Sequence, residues 1–365
     1  MAIYLDETQR AALARLRATW TWRTEWPTWL LIVVLYGSWL AIVFHIRMLG
    51  LPLATALLAA HGAWYMSLQH ELLHGHPTRS PFINGMLGFM PFAVWFPYGI
   101  YRDAHLQHHD DAHLTQPDHD PESYFIDARA WQRAGPVTRA LLTVRNTFIG
   151  RLLVGPAFSI AGTAADAARK FVNGDWRDMP LWIAHACMLI ALTAWLDRVS
   201  GMPAWLFIFG VGYGALSISS VRSFYEHRAA HVPAHRSVLN ETNWFWRALF
   251  LNNNYHLVHH DLPHVPWFAL RDVYETYRQQ YIERSGGFLV KGYSEWLKLY
   301  ALTQNAHPVH GVSSSASRRI PAAAGSFAAK LRIKLMVVIR QGERYEAHPP
   351  ASTERQSTRQ ALQDP

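Results

Sequence analysis

At 365 residues, half of them apolar and 16% charged, the chain is long enough for one large domain or two smaller ones, so length alone excludes little. Its single cysteine, Cys187, excludes a disulfide framework and any thiolate-based zinc or iron–sulfur site, and leaves metal chemistry to His, Asp and Glu. The net charge of +8 fits an anionic membrane surface, since Arg and Lys flank the apolar runs; no nucleic-acid-binding motif accompanies it.

Residues 1–28 carry Arg10, Arg15, Arg17 and Arg23 among Ala, Leu and Trp, which predicts an amphipathic helix at the membrane interface. Asp6 and Glu7 argue against a cleaved signal peptide. Residues 29–48 are nearly uncharged and long enough to span a bilayer's hydrocarbon core. After Gly50 and Pro52, a second run over residues 51–68 returns across it, so the two form a hairpin. The apolar stretch 81–98 is interrupted by Pro81, Gly85, Gly88, Pro91 and Pro97 and reads as a segment that dips into the membrane.

Residues 100–135 are polar and rich in His and Asp. Residues 136–176 mix apolar positions with Arg139, Arg145 and Arg151, which predicts a cytoplasmic layer lying against the membrane. Residues 181–196 and 204–221 then form a second hairpin, with Cys187 expected as a small buried hydrophobe inside it. Four spans put both termini on one side. Nearly all Arg and Lys lie there too, with only Arg47 and Arg198 near the opposite face, so that side is expected to be cytoplasmic. From residue 304 the composition of Ser, Ala, Pro, Arg and Gln predicts a largely disordered tail to residue 365, with a short basic helix over 328–340. The body of the protein is then residues 29–303.

The histidines are unevenly placed: of 21, 8 fall between His70 and His119 and 7 between His227 and His264. His70 and His74 continue the second span one helical turn apart. His105, His108 and His109 form a second cluster, and His256, His259 and His260 a third with the same spacing. All three lie just beyond predicted spans on the same face, so they can meet in one site. Eight imidazoles are too many for one metal ion and enough for two; imidazole suits Fe, Zn, Cu and Ni and does not choose among them. His227 follows the fourth span at the same height and is a ninth candidate. Asp110, Asp111 and Asp261 are placed to accept the ligands' second ring N–H, and Asn252, Asn253 and Asn254 to orient the third cluster. His76, His113, His119 and His264 border the clusters. His45, His61, His185, His307, His310 and His348 read as ordinary polar or core histidines.

This pattern of His70-x-x-x-His74, His105-x-x-His108-His109 and His256-x-x-His259-His260, with two membrane hairpins between, resembles the membrane fatty acid desaturase and hydroxylase superfamily over roughly residues 29–290. The run Asn252–Tyr255 before His256, followed by Pro263, Pro266 and Trp267, is similar to the bacterial acyl-chain desaturase branch. The resemblance implies an all-α membrane protein with four transmembrane helices in two hairpins and a cytoplasmic helical cap. It also implies a di-iron centre on His70, His74, His105, His108, His109, His227, His256, His259 and His260. O2 would be the co-substrate and an acyl or other lipid chain the substrate, ending as an alkene or an alcohol. Without a His-Pro-Gly-Gly motif or a ferredoxin cysteine set, electrons are expected from a separate ferredoxin, rubredoxin or cytochrome b5 type carrier. The basic face would suit that carrier or an acyl carrier protein.

Two other readings remain open at this point. His70-Glu71-Leu72-Leu73-His74 also fits a zinc metalloprotease signature with Glu71 as general base. A membrane metal transporter would instead need ionisable groups inside the spans, for which His61 and His185 are the candidates.

Overall fold

The computed structural model describes residues 2–109 and 112–311. The expected roles of Asp110 and Asp111, His348 and the helix over 328–340 lie outside them. Helix α1 (Glu7–Ala18) starts at Asp6, whose side chain accepts from the Gln9 backbone N–H. Its Leu13, with Trp22 just beyond it, packs against Tyr255, Leu257 and Val258 around the third histidine cluster, so the inward face of this segment is used within the protein.

Helices α2 (Trp26–Phe44) and α3 (Leu51–Leu73) form the first hairpin, turning at Gly50. In α2, Leu31, Leu35, Trp39 and Val43 recur every four residues and face inward, where they meet Ala54, Leu58, Tyr65 and Leu72 of α3. Leu30, Val33, Leu40 and Phe44 point outward and are exposed. An exposed apolar face of this extent is what a lipid-facing helix presents. Beyond α3, the predicted break is present: a short helix, Pro81–Gly88, and a single tight turn, Pro91–Ala93, precede α4 (Tyr98–His108).

Among the described residues, four helices are long and apolar enough to cross a membrane: α2, α5 (Phe148–Val172), α6 (Met179–Ser200) and α7 (Leu206–Ser223). Three coincide with expected spans. The fourth, α5, lies in the stretch that the sequence reading set against the membrane because of its arginines; its length and composition make it a candidate span. Arg151 turns inward and is buried, Ile149, Leu153 and Val172 face out, and Asp166 and Lys170 stay partly exposed toward its end. Helix α3 has the length but is less apolar, because His61, Gln69, His70 and Glu71 occupy its inner face; it nonetheless pairs with α2 as expected.

Helix α7 opens with wide π-helical turns over Leu206–Gly212 and runs close beside α3. A Cβ on Gly62 would come within 2.8 Å of the Ala215 Cβ, so only glycine permits this approach. Cys187 corrects another expectation: it is exposed on α6 rather than buried.

After α7 the chain forms a short parallel pair, β1 (Leu239–Asn240) with β2 (Leu289–Val290). This ribbon seats α8 (His256–Asp261). The Leu257 N–H donates to the Val238 carbonyl at 3.1 Å, and the Asn254 side chain donates to the Asn240 carbonyl at 2.6 Å. The first residues of the predicted tail are in fact packed. Asn305 N–H donates to the Asn146 carbonyl at 3.0 Å, Ile126 N–H to the Pro308 carbonyl at 2.8 Å, and His310 is buried.

Candidate metal centre

Two helix ends, one helix and one loop deliver nine histidines to a common space. His70 lies in the last turn of α3 and His74 caps it; His105 and His108 lie in α4 and His109 caps it; His227 follows α7; His256, His259 and His260 lie in α8. They sort into two groups. His70, His74, His105, His109 and His259 form one, and His108, His227, His256 and His260 the other; within each, the potential ligand atoms all lie within 4.8 Å of one another.

The spacing explains the sorting. At about 100° per residue, positions i and i+4 of a helix differ by about 40°, whereas i+3 and i+4 differ by about 100°. His105 and His109 therefore share the first group while His108 swings to the second. In α8 the pattern is exchanged: His256 and His260 share the second group and His259 crosses to the first.

The ring nitrogens make a case for cations between them. In the second group, Nε2 atoms follow one another at 3.1 Å from His108 to His227, 2.9 Å from His227 to His256, and 3.1 Å from His256 to His260. An imidazole nitrogen carries either one proton or one lone pair and can serve one such contact. Three contacts along four nitrogens leave the middle one unmet by hydrogen bonding alone. In the first group, His109 Nε2 faces both His105 Nε2 and His259 Nε2 at 3.1 Å, and buried His74 Nε2 has no hydrogen-bond partner among the described residues. Metal–imidazole bonds of about 2.1 Å at right angles put neighbouring nitrogens about 3 Å apart, which is the spacing found.

The outer ring nitrogens are held by acids. His108 Nδ1 donates to Asp120 Oδ1 at 2.8 Å, His105 Nδ1 to Glu122 Oε1 at 3.0 Å, and His256 Nδ1 lies 3.1 Å from both Glu226 Oε1 and Asn253 Oδ1. Glu226 is itself bonded to half-buried Arg222. Asn253 also places its Nδ2 3.3 Å from His70 Nε2, so one amide touches both groups. Fixing the outer N–H in this way leaves the inner lone pair free for a metal.

Burial, followed by the charges of neighbouring histidines, holds His109, His227 and His256 well below the ordinary histidine value, so they are neutral at pH 7. His108 differs. Burial lowers it, but Glu122, Asp120 and Glu226 outweigh burial and bring it up to about 9. Burial also raises Glu122, yet His105 and His108 outweigh that and hold it at about 2.

All nine predicted ligand candidates are in the two groups, and the bordering histidines are not. His76 Nδ1 pairs with Glu25 at 2.6 Å, His113 and His119 stack on each other, and His264 reaches the His74 carbonyl. His61 and His185 each donate a ring N–H at 2.7 Å to a carbonyl, of Leu35 and Val94 respectively, and so tie helices together. Asp261 makes a two-pronged ion pair with Arg284 at 2.6 and 2.7 Å. Sequence reasoning missed Asp120, Glu122 and Glu226. The run Asp118–Glu122, closing an acid- and histidine-rich loop after the second cluster, was the available signal. Phe224, just before Glu226 and His227, is packed between Phe148 and Trp296 and belongs to the core.

No curated protein matches the chain. The family model described as fatty acid desaturase matches residues 48–290, about two thirds of its length, and that range takes in every histidine of both groups. With two buried histidine groups at the ends of membrane-type helices, the chain belongs to the fatty acid desaturase family and is a membrane lipid oxidoreductase.

Proposed function

We propose that this protein introduces a double bond into a fatty acyl or related lipid chain, using O2 and two iron ions held by His70, His74, His105, His109 and His259 on one side and His108, His227, His256 and His260 on the other. The division of nine histidines, seven buried and two half-buried, into groups of five and four carries this reading. Iron bound there supplies the O2 chemistry that removes hydrogen from an unactivated methylene. The protein's own residues keep most of the ligand imidazoles, His108 excepted, neutral by burial, orient them through Asp120, Glu122, Glu226 and Asn253, and exclude bulk water. Hydroxylation of a lipid C–H bond is the second reading, because the same ligand set serves either outcome.

In this reading both termini and the metal groups face the cytoplasm, the segment 1–28 rests at the interface, and electrons arrive from a separate ferredoxin, rubredoxin or cytochrome b5 type carrier. The basic face is suited to that carrier or to an acyl carrier protein. A zinc protease role is disfavoured, because His70 and His74 stand with three further histidines while Glu71 accepts the Trp267 N–H at 3.0 Å. Transport is disfavoured because His61 and His185 are bonded to backbone carbonyls.

The test is lipid analysis of cells expressing the wild type or His259→Ala, with membrane content of both checked by immunoblot. A new double bond in wild-type lipids alone supports the proposal. A new hydroxyl selects the second reading, and equal product from both proteins overturns the ligand assignment.

A further inference from the structure

Two arginines lie buried where helix Pro136–Arg145 meets α5, and neither has a carboxylate partner among the described residues. Arg151 is 2% exposed and Arg145 8%. They are adjacent: Arg151 Nε donates to the Arg145 carbonyl at 3.0 Å, and both guanidinium groups lie over the ring of Tyr124, at 3.5 Å for Arg151 and 5.9 Å for Arg145. Arg145 also donates to the Tyr124 carbonyl and sits over Phe158. These aromatic and carbonyl contacts use only part of the donor capacity. Arg151 Nη1, Arg145 Nε and the neighbouring Asn146 Oδ1 are buried without a hydrogen-bond partner.

Two like charges placed side by side away from water are costly unless an anion joins them. The effect is visible at Arg145, which burial and then Arg151 push down to about 9. Arg151 also lines a small, half-enclosed cavity of about 30 Å³, together with Asn146, Tyr124, Asn305 and His227. Asp120 and Glu122 line it too, but their carboxylates are bonded to His108 and the Thr115 N–H, and to His105. The guanidinium edge is therefore the unmet feature of this cavity, and a planar fork of N–H donors fits carboxylate or phosphate oxygens.

We propose that the cavity lined by Arg151 is an oxyanion site that binds a carboxylate or phosphate group beside the second histidine group. Anion binding here can be measured apart from catalytic activity. Titration calorimetry on the metal-loaded protein in an uncharged detergent would use inorganic phosphate, decanoate and, as the uncharged control, decanol. Binding of decanoate but not phosphate identifies a lipid head group as the occupant. Binding of phosphate, displaced or not by decanoate, identifies a free oxyanion; either supports the site. Arg151→Gln should weaken binding by about ten- to a hundredfold, the range for one charge-assisted hydrogen bond, while Arg151→Lys retains most of it.

Because Arg151→Gln could also loosen the fold, Tm of each variant is measured without ligand, and Arg151→Lys, which keeps the charge, serves as the folding control. The proposal is overturned if neither anion binds, if decanol binds as well as decanoate, or if Arg151→Gln binds as the wild type does.

Discussion

Replacing Asp120 by Asn separates the two histidine groups experimentally. Asp120 Oδ1 accepts from His108 Nδ1 at 2.8 Å and from Glu122 N–H at 2.9 Å, while Oδ2 accepts from Thr115 N–H at 2.8 Å. Asparagine keeps the shape but removes the charge and turns one acceptor into a donor, which cannot face the Thr115 N–H. Of the nine ligand candidates, only His108 loses a direct partner, and it belongs to the group of four. Loss of a carboxylate behind a metal-bound histidine weakens metal binding by about 10- to 100-fold, or about 1.4–2.7 kcal/mol. The iron content of purified protein, measured after graded chelator exposure, should therefore fall in two steps. One iron leaves at about 10- to 100-fold lower chelator than in the wild type, and the second leaves as before. Simultaneous loss of both, or a wild-type profile, would refute the assignment of Asp120 to the four-histidine group.

The same division predicts that His259→Ala first weakens metal binding in the group of five and His256→Ala in the group of four, with lipid product abolished in both; metal analysis and lipid profiles check this together. Metal loading of the group of four should release a proton from His108 at pH 7, because its value in metal-free protein is raised to about 9, so apparent affinity there rises with pH up to about 9. The neutral histidines of the group of five give a flatter dependence, which competitive metal titrations between pH 6.5 and 9 would resolve. At the junction before α5, a Cβ on Gly150 would lie 1.9 Å from the Val144 carbonyl oxygen, so Gly150→Ala should lower Tm sharply or prevent accumulation in the membrane, as followed by fluorescence size-exclusion chromatography.

Much of this architecture is readable from residue order because membrane spans and ligand spacing are local properties. A run such as residues 29–48 declares its length and apolarity, and His-x-x-His-His declares its helical angles. What escaped depends on contacts distant in sequence. That Arg151 turns away from the outer surface of α5 is set by Tyr124 and the Arg145 carbonyl, not by its position in the run. Cys187 gave no local sign of which face of α6 it occupies. Asp120 and Glu122 sit in a loop whose path back under α4 no periodicity announces. Gln304–Gly311 has the composition of a tail, yet is held through the backbones of Asn146 and Ile126, partners about 160 and 180 residues away.

The crossed sharing of histidines by α4 and α8 has a mechanical consequence. Each helix grips both metal positions, so neither position can shift relative to the other by loop movement alone. The spacing between the two histidine groups is thereby tied to the pitch of two short helices, one clamped by the β1–β2 ribbon and the other by the acidic loop. A perturbation that rotates either helix would alter both coordination spheres at once, and with opposite sense.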